Sequence, residues 1–200
     1  GGKNRFGAEG EVAWFEMGSA GLREAESAGL SGGQGEPGSA PALVQAGRRA
    51  FAVDVQALVV PGEGPPRRHV AGLDPRRFQI VAAVTDRAVK LRLSQAELYG
   101  TAGGGLRVDD PGADLAVAAA IASSSAGVAP PARWGFVGEV ALTGAVRAVP
   151  GLELRLSAAA AAGLDTVVCP ATPTSRSGAG TGVRLAPVTH VRDALTWATA

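Results

Sequence analysis

The first residues able to do chemistry are two cations held two apart, Lys3 and Arg5, in the run Lys3-Asn4-Arg5-Phe6-Gly7. Side chains of an extended chain alternate with a period of two, so Lys3 and Arg5 project to one side and Phe6 to the other. Two such cations can converge on one anion while the ring anchors the chain from behind, and a phosphate group suits them. Two solvated charges near a chain end are the bland alternative. A second set of cations comprises Arg67, Arg68, Arg76, Arg77, Lys90 and Arg92. Phosphate backbones are drawn to such a segment by charge alone, with strong salt dependence and no base preference. Its bland alternative is a solvated outer face.

Other chemistries are thinly supplied. A single cysteine, Cys169, excludes an intramolecular disulfide, and with only His69 and His190 beside it no tetrahedral Cys/His zinc site can be assembled. A reducing, cytoplasmic compartment is therefore expected. Ser123, Ser124 and Ser125 lack a paired base and are expected to be polar or capping residues late in a helix. His69 and His190 stand in no nucleophile motif and receive no role. Neither lysine lies in a phosphate loop, since Lys3 precedes Asn4, Lys90 precedes Leu91, and no Gly-x-x-x-x-Gly-Lys-Ser/Thr occurs.

The elements that must position these residues fit within 200 residues of which 46% are apolar, enough for one packed domain and a short appendage. Three Trp, one Tyr and five Phe leave the core to Ala, Val and Leu and leave few rings for stacking bases. A net charge of +1 excludes a histone-like polycation. The charge is nevertheless uneven. Residues 1–40 hold three bases against six acids, residues 41–100 nine against five, and residues 101–200 seven of each. The longest apolar run, 115–122, is far short of the roughly 20 residues of a membrane helix, so no membrane partner is expected.

Residues 11–17 read as one strand without a partner, followed by a Gly/Ser/Pro linker at 31–40. Strands are expected at 42–45 and 50–60 around a Gly47-Arg48-Arg49 turn. Asp74-Pro75 opens a helix to about Lys90, with Phe78, Val81, Ala82, Thr85, Ala88 and Val89 on one face. A strand at 97–102 and a helix at 111–125 with a stripe of Leu115, Ala118, Ala119 and Ala122 come next. A hairpin of 136–140 with 145–149, a helix at 152–162, strands at 166–169 and 183–185 and a closing helix at 191–198 complete the chain, with a Gly/Ser/Thr-rich loop at 172–182. Strands and helices mix without strict βαβ alternation, which favours an α+β layer over a doubly wound sheet.

Lys3-Asn4-Arg5-Phe6-Gly7 resembles the signature pentapeptide of the bacterial RadA/Sms DNA repair proteins, and Gly7 through Met17 resembles the strand that follows it there. Downstream, Val55-Gln56-Ala57-Leu58-Val59, Pro66-Arg67-Arg68, Gly72-Leu73-Asp74, Ala102-Gly103-Gly104, Ala113-Asp114-Leu115-Ala116-Val117-Ala118 and Gly138-Glu139 agree in order.

The resemblance implies a division at residues 1–30, the terminal strand segment of a RecA-like ATPase, then the linker at 31–40. It implies a Lon-protease-like domain of ribosomal protein domain 2-like mixed α/β architecture at 41–200. Lys3 and Arg5 would act as a finger on a neighbouring subunit's ATP. ATP, magnesium and zinc are expected in the intact protein, and none of them in this chain. A hexameric ring, DNA, a RecA-type recombinase, branch migration and a stress response are likewise implied. Lon-type proteases pair a serine with a lysine base, and the resemblance places Ala113 at the serine, or Asp114 if the alignment slips by one, and Arg155 at the lysine. Neither side chain at the first position is a hydroxyl, and a guanidinium cannot accept a proton at neutrality. A non-proteolytic scaffold that binds DNA through Arg67, Arg68, Arg76, Arg77, Lys90 and Arg92 is the leading expectation. A purely structural oligomerisation module and a serine peptidase are the alternatives.

Overall fold

The computed structural model describes residues 14–18, 21–25, 30, 35–62, 66–172 and 181–198. Lys3 and Arg5, with most of the loop expected at 172–182, lie outside the described residues. Strand β1 (Trp14–Gly18) pairs antiparallel with β2 (Gly21–Ala25). The strand expected at 11–17 therefore has a partner, supplied by a segment whose polar Arg23-Glu24 centre gives no strand pattern of its own.

The main sheet is built from β3 (Ser39–Ala46), β4 (Arg49–Val60), β5 (Arg68–Ala71), β6 (Glu97–Ala102), β7 (Trp134–Phe136), β10 (Thr166–Pro170) and β11 (Arg184–Val188), in the order β11-β10-β7-β3-β4-β6-β5. Its six pairings divide into four parallel and two antiparallel, the antiparallel ones being β3 with β4 and β4 with β6. This is the mixed α+β layer expected. β3 begins at Ser39, inside the span expected as linker, because Ala57 donates its N–H to the Gly38 carbonyl at 2.8 Å and extends the ladder. β5 was not expected, since a four-residue edge strand beginning Arg68-His69 shows no apolar alternation.

Helix α1 (Pro75–Val89) starts where Asp74 accepts the Arg77 N–H at 2.8 Å and ends where Lys90 turns left-handed at φ 57°. Helix α2 (Asp114–Ala126) follows a single 3₁₀ turn over Pro111–Ala113. It was expected to bury one stripe, yet every residue from Asp114 to Ser123 is buried. The reason is position. It lies across β3 and β4 with α1 packed against its other side, and its alanines permit close approach at no side-chain entropy cost.

Alternation along the strands divides the core. Ala42, Val44, Val53 and Val55 face α1 and α2, whereas Leu43 and Ala52 face Leu156 and Ala159 of α3 (Leu152–Ala161). The hairpin expected from 136–140 and 145–149 is split. β7 joins the main sheet, and only β8 (Glu139–Val140) pairs with β9 (Val146–Arg147). Backbone bonds divert the chain between them, from Gly138 N–H to the Gly112 carbonyl at 3.0 Å and from Leu115 N–H to the Gly138 carbonyl at 3.2 Å. The closing helix is also shorter than expected, with α4 (Val191–Ala194) giving way to a 3₁₀ turn at Thr196–Ala198.

Candidate functional site

The turn before α2 and helix α3 (Leu152–Ala161) hold Ala113 and Arg155, the residues that the resemblance sets at the protease positions. Asp110, the residue before Pro111, accepts the Gly112 N–H at 2.8 Å and so caps the turn that carries Ala113. Ala113 is 4% exposed and brings only a methyl group. From the opposite face of the sheet Arg155 of α3 reaches the same loop with 2% exposure. Its Nη1 donates to Asp110 Oδ2 and to the Leu43 carbonyl, each at 2.6 Å, and its Nε donates to the Pro150 carbonyl at 3.0 Å. Gln45 donates its N–H to the same Asp110 oxygen at 2.7 Å. A Cβ on Gly112 would stand 2.6 Å from Arg155 Nη1, so the guanidinium fills the space beside the turn completely. The arrangement has no nucleophile, and its one strong base-type side chain is permanently protonated and fully engaged. It ties α3 to the turn before α2.

Ser123, Ser124 and both histidines make contacts within the fold. Ser123 Oγ accepts the Gly38 N–H at 2.8 Å and donates to the Val128 carbonyl at 2.7 Å, while Ser124 Oγ accepts the Val59 N–H at 2.9 Å. Both therefore lash α2 to the central strands. His69 stacks on Tyr99 with ring centroids 4.9 Å apart. His190 accepts the Arg192 N–H on Nδ1 at 3.3 Å and donates from Nε2 to the Thr143 carbonyl at 3.1 Å. Cys169 is fully buried, and burial pushes its thiol up to about 11. Among the described residues no three His, Cys, Asp or Glu side chains gather to hold a metal ion, and no helix is long and apolar enough to cross a membrane.

The six cations expected on a DNA face divide by what they touch. Arg77 forks onto Asp114, with Nε 3.0 and 2.9 Å from the two carboxylate oxygens, and its Nη2 also contacts Asp114 and lies 3.2 Å from Glu139. Burial raises the Asp114 carboxyl above its ordinary range, against the pull of Arg77 and of the Val140 N–H at 2.9 Å. Arg68 turns inward to the carbonyls of Ala96 and Leu93. Arg67 is 70% exposed with Glu97 3.9 Å away, and Arg76, Lys90 and Arg92 are exposed with no carboxylate in ion-pair range among the described residues. Arg76 and Lys90 lie about 20 Å apart along α1 at 1.5 Å per residue, so these cations form a stripe and no compact cluster. Sequence reasoning missed Asp110, although its Asp-Pro start signal matches that of Asp74-Pro75. Its pairing with Arg155, 45 residues away, left no local trace.

Comparison with known proteins finds similar chains. Residues 100–177 match the Lon protease (S16) C-terminal proteolytic domain, a span that includes Ala113 and Arg155. Over 197 residues the chain is 39% identical to the DNA repair protein RadA of Mycolicibacterium smegmatis, covering 96% of this chain and 42% of that protein. It is 42% identical over 162 residues to the Brucella abortus protein of the same name, covering 78% of this chain and 35% of the relative. With the Bacillus subtilis protein it shares 35% identity over 198 residues, covering 96% of this chain and 43% of the relative. The chain spans less than half the length of these relatives.

Proposed function

The chain belongs to the bacterial RadA DNA repair family over the length it matches, and from that premise we propose that it is the non-proteolytic, Lon-like portion of a DNA repair and recombination ATPase. In this reading it scaffolds a hexameric ring and touches the backbone of duplex DNA. The intact motor drives branch migration in the cytoplasm beside a RecA-type recombinase, as part of a stress response. Its ATP, magnesium and zinc are bound elsewhere in the intact protein. Lys3 and Arg5 neutralise charge on the phosphoryl group transferred in a neighbouring subunit.

The observation that supports the DNA contact is the exposure of Arg67, Arg76, Lys90 and Arg92, three of them without a carboxylate in range among the described residues. Phosphate contacts by such side chains release counterions, so affinity falls steeply with salt. Fluorescence anisotropy with a labelled duplex at two salt concentrations tests this. Replacing all four with alanine is expected to flatten the salt slope by up to about 3–4. Binding that ignores salt, or that survives the fourfold replacement, overturns the DNA contact.

A second reading, a purely structural oligomerisation module, rests on a different observation. Leu58, Val60 and Tyr99 are 55%, 37% and 37% exposed, and Leu58 lies directly opposite Tyr99 on adjacent strands. An uncovered apolar sheet face of this kind suits contact between subunits. Light scattering separates the readings, because a monomer at tens of micromolar counts against the scaffold. A peptidase is expected to label with a serine-directed probe, and no labelling is the expected result here.

A further inference from the structure

The outer face of α1 carries one further cation, Arg87, outside the six singled out in the basic segment. Exposed residues recur along that face at Arg76, Gln79, Ala83, Arg87 and Lys90, the helical spacing of one stripe. Arg87 stands in the last turn, where it meets the start of α4 and the turn between β8 and β9. These three elements enclose a cavity of about 250 Å³, whose charged lining is Arg87 and Arg192 and includes no Asp or Glu.

The cavity is held by defined bonds. Val191 donates its N–H to the Gly144 carbonyl at 2.9 Å, and Gly144 adopts φ +89°, where a Cβ would come within 2.3 Å of the His190 ring. Both imidazole nitrogens are engaged, Nε2 as donor to Thr143 and Nδ1 as acceptor from Arg192 N–H. These contacts fix the ring and make His190 a wall of the cavity. The two guanidiniums differ from it. Neither has a hydrogen-bond or ion-pair partner for its side chain among the described residues. The acids adjacent to them in sequence have other contacts, Asp86 accepting the Leu93 N–H at 3.3 Å and Asp193 accepting from Thr189 Oγ1 at 3.5 Å.

We propose that this cavity is a binding site for a phosphate ester, seated between Arg87 and Arg192. Both guanidiniums line one cavity and have no partner among the described residues, so an anion that enters it can be bonded by both. One planar fork satisfies a carboxylate, whereas two forks match the several oxygens of a phosphate. The Thr143 hydroxyl adds a further donor. Val84, Ala88 and Leu142 give the cavity an apolar side with room for the group to which the phosphate is esterified. A free nucleotide and a nucleic-acid backbone both offer that chemistry. The site shares no residue with Arg67, Arg76, Lys90 and Arg92, so it stands or falls separately from the duplex contact proposed above.

Amide chemical-shift titrations of the 200-residue chain test it, with adenosine monophosphate, a duplex lacking terminal phosphates, and acetate as separate probes. Shifts are expected to concentrate on Thr143, Gly144, Val191, Arg192 and Arg87. The double variant Arg87→Gln/Arg192→Gln should weaken binding by tenfold or more while leaving the rest of the spectrum in place, because both side chains are exposed. Movement with the mononucleotide alone assigns the phosphate to a free nucleotide, and movement with the duplex assigns it to a backbone. An unchanged titration in the double variant, acetate acting as strongly as phosphate, or no movement with either phosphate probe overturns the site.

Discussion

Arg155 and Asp110 meet at 2.6 Å through the domain, one from α3 and the other from the turn before α2, with Arg155 only 2% exposed. Their contact joins layers that lie on opposite faces of the sheet, and the Leu43 carbonyl between them accepts a second bond from the same nitrogen. At the position where the resemblance sets a protease's lysine, the chain holds a fixed cation.

Removing that cation should damage the fold before anything else. Arg155→Ala leaves the Asp110 carboxylate without its counter-ion, with only the Gly112 and Gln45 N–H groups on it, and removes this donor from the Leu43 carbonyl, at a cost of about 3–5 kcal/mol. Urea denaturation of the two proteins measures it. Arg155→Lys should recover part of the loss, since an ammonium keeps the charge and loses the fork.

Restoring the dyad by sequence should not restore peptidase activity. In Ala113→Ser/Arg155→Lys, Asp110 stays beside the new lysine and holds it protonated, which removes the base that a serine nucleophile needs. Casein turnover and labelling by a serine-directed probe are both expected to be absent. Turnover by the double variant would show that the ion pair is not what silences the site.

How much of this was legible depended on range. Asp74-Pro75 announced α1 because capping is a local exchange between a carboxylate and an amide three residues on, and the structure shows that bond. The β3–β4 hairpin was legible for the same reason. Ala113 and Arg155 were placed by resemblance, yet the engagement of Arg155 with Asp110 and Leu43 spans 45 and 112 residues and leaves no periodicity to read. Arg77 and Arg76 are neighbours of one type in sequence, and only the packing of α1 on α2 turns the first onto Asp114 and the second into solvent. That Arg87 and Arg192 line one cavity was equally invisible, because it depends on where the β8–β9 turn and α4 come to rest.

Ser123 offers a check on the assignment of the helix-end hydroxyls as ties. Its Oγ satisfies the buried Gly38 N–H and the Val128 carbonyl together. Ser123→Ala leaves that N–H without a partner and should cost about 1–3 kcal/mol by denaturant titration. A neutral substitution would mean that the N–H finds another acceptor and that Ser123 does not anchor the start of β3.

Asp114 makes stability depend on pH in the less usual direction. Its carboxyl titrates above the ordinary value of 3.8 in the folded protein, chiefly through burial. The folded state then binds the proton more tightly than the unfolded chain does. That contribution is complete below the unfolded value and is lost as pH rises through the folded one. Arg77→Ala removes the main opposing pull, so the loss should extend to higher pH and become larger. Melting temperatures of the two proteins across the mildly acidic range measure it, and parallel profiles would contradict the linkage.

Cys169 should behave as a probe of global opening. The thiolate is the reactive form, and burial with a thiol titrating at about 11 leaves almost none of it near neutrality. The side chain also lies in the α3-side core with Leu43, Leu156 and Val167, so a reagent reaches it only when that layer separates from the sheet. Labelling by a disulfide reagent at neutral pH should be negligible in the native protein and become complete in denaturant, with a midpoint that coincides with the spectroscopic one. Arg155→Ala should bring labelling forward, because the ion pair to Asp110 is one of the bonds that hold α3 in place. Fast labelling of the native protein would show that α3 detaches locally and that the ion pair does not govern its opening.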